Sequence, residues 1–228
     1  MTSATGASQA PHTRASAVEG RLRACGIVPV VEFRDAHQGE EIFAALSDGG
    51  VPVAEITLRT SAAESALEQL IARHPSALLG AGTVRTLEQA RRMVGIGVSF
   101  VVSPGTDEEI IGHCVDHDVL VLPGVCTPTE MMRALHAGAR VLKLFPAEVI
   151  GGVRYLRALA GPFGDVSFVP TGGITSSNLE SYLHLPQVAA CGGSWMVTPE
   201  LLATRSFDKI TKLTREARDI VEAVRGGE

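Results

Sequence analysis

The run Val141-Leu142-Lys143-Leu144-Phe145-Pro146-Ala147-Glu148 carries a single charge inside an apolar stretch that a proline stops. Apolar residues on both sides of Lys143 predict a parallel strand covered on both faces. Burial disfavours the ammonium form of a lysine, and the neutral amine is a nucleophile able to form an imine with a ketone. Lysine is scarce in this chain. Besides Lys143 there are only Lys209 and Lys212, near the C-terminal end, and the other basic side chains are arginines, which form no imine. The competing reading is a strand-end lysine that snorkels to the surface. Glu55 stands in a similar apolar run, Val53-Ala54-Glu55-Ile56-Thr57. An amine and an acid converging in one apolar lumen form a catalytic arrangement, and the alternative is a structural ion pair.

Two glycine pairs suggest a different task. Gly172-Gly173 and Gly192-Gly193-Ser194 could let backbone N–H groups approach an anion, with the Ser194 hydroxyl added. The alternative is two tight turns at helix starts. His113 and His117, four apart on a predicted helix, could grip a metal, but no third ligand stands in register, so a solvated helix face is expected. Cys126 falls near the same end of the fold, without a partnered histidine at a strand end, and is read as a bystander.

The elements that would position these residues alternate regularly. A first helix is expected from about Ala17 to Gly26, followed by an apolar strand over Ile27–Glu32. Gly39 to Asp48 has helical spacing and Val53 to Thr57 is a strand; Ser61 with Glu64 reads as a capping box for the next helix. Strands are expected over 78–83, 100–103, 119–122, 141–145, 166–170 and 188–191. Helices alternate with them over 86–94, 107–116, 127–138, 152–160 and 178–183. An amphipathic helix over about 207–224 closes the chain. The pattern amounts to eight strand–helix units of roughly two dozen residues each. Eight such units closing on themselves give an α/β fold of the TIM (β/α)8 barrel type with an extra N-terminal helix. An open doubly wound sheet is the alternative, but no dinucleotide fingerprint follows the first strand, and Gly80-Ala81-Gly82 lacks the later glycine. In such barrels sites stand at the C-terminal strand ends, and loops after the seventh and eighth strands commonly hold phosphate. Lys143 and Phe145 share one strand face, as do Glu55 and Thr57.

Length and composition agree with one globular domain. The chain has 228 residues, 45% hydrophobic and 20% charged, and a formal net charge of −5 argues against a nucleic-acid partner. Cys25, Cys114, Cys126 and Cys191 lie far apart without a CxxC pair, so reduced thiols in a cytoplasmic protein are expected. No apolar run approaches a transmembrane length. Met1 to Ser16, rich in Ser, Thr and Ala and without an apolar core, reads as a disordered tail preceding one barrel domain over 17–228.

From about Val18 to the C-terminus the chain resembles the 2-keto-3-deoxy-6-phosphogluconate (KDPG) aldolases, whose members often also act on 4-hydroxy-2-oxoglutarate. The motifs are Ala54-Glu55-Ile56-Thr57-Leu58-Arg59-Thr60, Gly80-Ala81-Gly82-Thr83-Val84, Ser103-Pro104-Gly105, Lys143-Leu144-Phe145-Pro146-Ala147-Glu148, Pro170-Thr171-Gly172-Gly173-Ile174 and Gly192-Gly193-Ser194-Trp195, with Asp208 to Leu213 in the last helix. The resemblance implies a class I aldolase that needs no metal or other cofactor, usually a homotrimer, acting on a small keto-acid phosphate. It further implies that Lys143 forms the Schiff base and that Glu55 shuttles protons. Arg59 and Thr83 would hold the keto-acid carboxylate, Phe145 and Thr171 would lie by the pyruvyl part, and Gly172, Gly173, Gly193 and Ser194 would face the phosphate. An aldolase for the galactonate epimer, or a phosphate-binding isomerase or epimerase barrel, stays as the alternative.

Overall fold

The structure is a computed structural model that describes residues 13–33 and 35–226. The strands are β1 (Ile27–Val31), β2 (Val53–Thr57), β3 (Leu78–Gly82), β4 (Phe100–Val102), β5 (Leu120–Leu122), β6 (Gly124–Val125), β7 (Val141–Leu144), β8 (Ser167–Phe168) and β9 (Cys191–Gly193). All pair in parallel. One section runs β5-β4-β3-β2-β1-β9 and a second runs β6-β7-β8. Only Pro123 separates β5 from β6. Its carbonyl accepts the Lys143 N–H at 2.9 Å, so the ladder resumes on β7 across the proline. Single parallel bridges, Phe168 to Val188 and Thr171 to Gly192, join the β8 side to the β9 side. The result is a curled parallel sheet, and helices between successive strands cover its outer face.

The helices are α1 (Arg14–Cys25), α2 (Gly39–Asp48), α3 (Ala63–Arg73), α4 (Leu87–Gly95), α5 (Glu108–Asp116), α6 (Pro128–His136), α7 (Gly152–Leu159), α8 (Ser176–Leu183), α9 (Pro199–Ala203) and α10 (Phe207–Arg225). Local chemistry sets most of their starts. Thr86, Asp107 and Thr127 each accept a backbone N–H three residues on, and Thr127 with Glu130 closes a capping box ahead of Pro128. The last helix turns Ile210, Thr214, Ala217 and Val221 inward at helical spacing. Gly49 leaves the room Thr214 needs, since an added Cβ would lie 2.6 Å from the Thr214 Cβ.

Several expectations are corrected. α1 begins at Arg14 rather than near Ala17, because Thr13 caps it and Asp118 receives the first free N–H groups, from Arg14 at 2.7 Å and Ala15 at 3.2 Å. Residues 1–12 of the expected tail lie outside the described residues. The Ser61–Glu64 capping box does not form; α3 starts at Ala63 without a side-chain cap, and Glu64 instead pairs with Arg92 at 3.0 Å. The ladder of β8 is only Ser167–Phe168. The last strand is Cys191–Gly193 rather than 188–191, so Gly192 and Gly193 belong to the sheet, paired with Val28 and Pro29. Side chains would not fit there. A Cβ on Gly192 would lie 2.3 Å from the Thr171 hydroxyl, and one on Gly193 would lie 1.9 Å from the Trp195 ring. A short helix, α9, also falls in the stretch between the last strand and the closing helix, for which no element was expected.

Candidate active site

Strand β2 presents Glu55, and its register sets Glu55 beside Gly80 of β3 and Thr57 beside Gly82. Strand β7 presents Lys143, opposite Gly124 of β6. Both charges are buried, at 7% exposure for Lys143 and 3% for Glu55. They meet across the inside of the sheet, with Lys143 Nζ donating to Glu55 Oε1 at 3.3 Å. The strands that bring them together are 88 residues apart in sequence. A buried amine of this kind has an acceptor for its proton within hydrogen-bond reach. The Phe145 ring lies 5.3 Å from the same nitrogen.

Glycine creates the space. A Cβ on Gly82 would lie 2.3 Å from Glu55 Oε1 and 2.6 Å from its Cγ, so the glycine of β3 is what lets the carboxylate lie across that strand. A Cβ on Gly80 would enter the Phe100 ring, which is fully buried. At Gly172 and Gly173 the reason is the backbone itself, with φ of 98° and 85°, the left-handed region that other residues avoid. The Gly172 carbonyl accepts the Glu148 N–H, and the Asn178 side-chain amide donates to the Gly173 carbonyl, so the turn is held on both sides.

Above the pair of charges opens a cavity of about 360 Å³. Its walls include Thr57, Arg59, Phe145, Thr171, Gly172, Gly173, Gly192, Gly193 and Ser194, so most expected binding residues share one cavity. Lys143, Glu55 and Thr83 are not among the residues that line it; the first two are buried on the strands that supply Phe145 and Thr57. Thr83 reaches the site through Arg59, whose Nε donates to the Thr83 hydroxyl at 3.3 Å. Thr83 has φ of 58°, rare for a β-branched residue and a strained conformation of the sort found at functional sites. Thr171 is buried and next to Gly192, while Ser194 is exposed at the rim.

Sequence reasoning missed two kinds of residue here. Glu32 lines the cavity and pairs with Arg59 at 3.4 Å. It closes the expected first strand and falls in none of the family motifs, so nothing in the sequence singled it out. An apolar wall of Phe33, Ile42, Val197 and Leu202 also went unread, because such residues look like ordinary core.

The two set-aside features stay outside the site. The ring centroids of His113 on α5 and His117 at its C-terminal cap lie 4.2 Å apart, and His117 Nδ1 is engaged by the His113 carbonyl. Burial pushes the His113 imidazole down, away from the cation. Among the described residues no three His, Cys, Asp or Glu side chains converge as a metal site. The Cys126 thiol is pushed up by its hydrogen bond to Glu130, which disfavours the reactive thiolate. Among the described residues no helix is long and apolar enough to cross a membrane.

Residues 18–213 match the family model described as KDPG and KHG aldolase. The chain is 42% identical over 195 residues to the 2-dehydro-3-deoxy-phosphogluconate aldolase of Treponema pallidum (strain Nichols), covering 86% of this chain and 93% of the relative. It is 39% identical over 202 residues to the KHG/KDPG aldolase of Escherichia coli (strain K12), covering 89% and 95%. Among solved structures it superposes on the KDPG aldolase of Legionella pneumophila, with pyruvate captured as a covalent carbinolamine intermediate, at a TM-score of 0.84 and 39% identity, covering 87% of this chain and 97% of that one.

Proposed function

The chain belongs to the KDPG and KHG aldolase family, and we propose that it is a class I aldolase cleaving KDPG to pyruvate and glyceraldehyde 3-phosphate through an imine on Lys143. 4-Hydroxy-2-oxoglutarate, cleaved to pyruvate and glyoxylate, is the second substrate. The observation that carries this reading is the buried contact of 3.3 Å between Lys143 Nζ and Glu55 Oε1, beside a cavity with an arginine and two glycine-rich strand ends.

The chemistry follows from that contact. Lys143, having passed its proton to Glu55, attacks the C2 ketone; Glu55 returns that proton to the carbinolamine hydroxyl, which leaves as water and gives a protonated imine, an electron sink next to the bond to be broken. Glu55, directly or through a water, accepts the C4 hydroxyl proton as the C3–C4 bond breaks and its electron pair passes into the imine to form an enamine. The aldehyde product leaves. The enamine takes a proton at C3, Glu55 now serving as acid, and hydrolysis of the resulting imine frees pyruvate and Lys143. Arg59, with Thr83 beside it, holds the C1 carboxylate. Phe145 and Thr171 flank the pyruvyl part, and Gly172, Gly173, Gly193 and Ser194 receive the phosphate. An isomerase using the same glycines would leave the buried amine without a task.

Residues 17–228 act as one domain in this reading, and the curled sheet completes an eight-stranded (β/α)8 barrel. The bridge from Thr171 to Gly192 and the continuity of the ladder past Pro123 support that closure. A cytoplasmic homotrimer is the assembly we propose with it, and sedimentation equilibrium tests the stoichiometry. The test of the chemistry is borohydride reduction in the presence of pyruvate. Mass should be added to the peptide containing Lys143, and Lys143→Arg, which keeps the charge but forms no imine, should lose both adduct and turnover. Label found only on Lys209 or Lys212 would move the reaction elsewhere.

A further inference from the structure

We infer that Glu32 is a positioning residue that competes with the substrate carboxylate for Arg59 and so weakens the hold on pyruvate. The inference rests on the reading of Arg59 as the carboxylate clamp. Glu32 follows directly on β1, whose register on β2 pairs Val31 with Ile56. It therefore leaves its strand beside Thr57 and within reach of Arg59. It lines the same cavity as Arg59, Thr57, Phe145 and Thr171. Its Oε2 lies 3.4 Å from Arg59 Nη1, while Arg59 Nε donates to the Thr83 hydroxyl at 3.3 Å.

A guanidinium offers its five N–H donors on three nitrogens. Two of those nitrogens already have partners. A bidentate hold on a substrate carboxylate needs two N–H groups side by side. The arriving anion must then take a nitrogen from Glu32 or share the guanidinium with it, and two carboxylates on one cation repel. The Arg59–Glu32 pair is half-exposed, at 54% and 40%, so water and salt screen this competition. It tunes affinity rather than abolishing it. The arrangement suits an aldolase that must release pyruvate: Glu32 keeps Arg59 aimed into the cavity when the site is empty and eases departure of the last product.

The experiment measures the pyruvate concentration that half-saturates borohydride trapping on Lys143, in the full chain and in Glu32→Gln and Glu32→Ala. Both variants should lower that concentration roughly 1.5- to five-fold, the range expected for an exposed pair. Pyruvamide, which has the ketone but no carboxylate charge, should be trapped at the same concentration in all three proteins. The gain for pyruvate should also shrink as sodium chloride is raised, which a merely structural role would not produce. A half-saturating pyruvate concentration that stays level or rises in Glu32→Gln overturns the inference, and so does an equal fall for pyruvamide. Failure of the underlying reading looks different: an Arg59→Ala variant that is half-saturated at the wild-type pyruvate concentration removes the carboxylate clamp itself, before any Glu32 variant is compared.

Discussion

Gly82→Ala isolates the placement of one carboxylate from everything else at the site. The added methyl carbon would lie 2.3 Å from Glu55 Oε1, 2.6 Å from Cγ and 2.8 Å from Cδ, whereas ordinary contact begins at 3.4 Å. The carboxylate must retreat by about 1 Å. It is the far end of a flexible side chain, so folding should suffer at the low end of the ~1–3 kcal/mol typical of overpacking. For a chain of this length that corresponds to a fall in Tm of a few degrees, about 2–4 °C per kcal/mol. Catalysis should suffer more, because a misplacement of about 1 Å commonly costs on the order of 100-fold in rate. The methyl meets no atom of Lys143, though it displaces the oxygen that Lys143 donates to, so pyruvate and borohydride should still label the lysine. The assay is kcat for pyruvate release from KDPG, read alongside borohydride labelling and a melting curve. Wild-type kcat in this variant would refute the reasoning that Glu55 acts from its observed position. Loss of labelling together with turnover would show that the Lys143–Glu55 contact is needed for imine formation itself.

Three further outcomes follow from the same geometry. Ser194→Ala should weaken use of KDPG by ~1.5–3 kcal/mol, roughly 10- to 150-fold in kcat/KM, and barely touch 4-hydroxy-2-oxoglutarate, while Arg59→Ala should damage both; equal losses on both substrates in Ser194→Ala would remove Ser194 from the phosphate end. Activity should survive EDTA, since the proposed electron sink is an imine on Lys143, and a loss restored by zinc or magnesium would assign the reaction to a metal-dependent mechanism. The N–H groups of Arg14 and Ala15, with that of Arg14 the larger influence, hold the Asp118 carboxyl below its ordinary 3.8. A depressed carboxylate contributes stability above its unfolded value and loses it as pH falls through the folded one, so the protection factors of the Arg14 and Ala15 amides, taken against the unstructured rate at the same pH, should fall below about pH 4 in wild type, and identical acid profiles in Asp118→Asn would refute the link.

The Lys143–Glu55 pair was legible because it breaks a pattern. A charge in the middle of an apolar strand is conspicuous at Lys143 and again at Glu55, and the alternation of faces along a strand then brings both inward. Arg59 and Thr171 also stand where a polar residue follows an apolar run, but it was the family motifs that singled them out. Glu32 obeys that rule too and was passed over, because without the distance to Arg59 a terminal glutamate looks like any solvated strand end.

Glycine was the type that local sequence could not sort. Gly172 and Gly173 sit in a turn because their φ values demand it. Gly192 and Gly193 look the same in sequence, yet they are strand, and the demand on them comes from Thr171 and Trp195 crossing their faces. Gly82 is a third case, a strand glycine whose neighbour is the Glu55 carboxylate on the adjoining strand. Turn glycines answer to their own backbone and can be inferred from their flanks. Gly82 and Gly192 answer to side chains far away in the chain, Glu55 and Thr171, and their meaning appears only once the register is known, while Gly193 answers to Trp195 close by. The glycine-lined end of the cavity uses both kinds side by side: Gly172 and Gly173 supply a turn held by Glu148 and Asn178, and Gly193 supplies a strand position that the Trp195 ring crosses. A glycine doublet in a parallel α/β chain is therefore better read as a place where something approaches the backbone than as a turn, and whether that is a ligand or a neighbouring side chain is decided by the strand it faces.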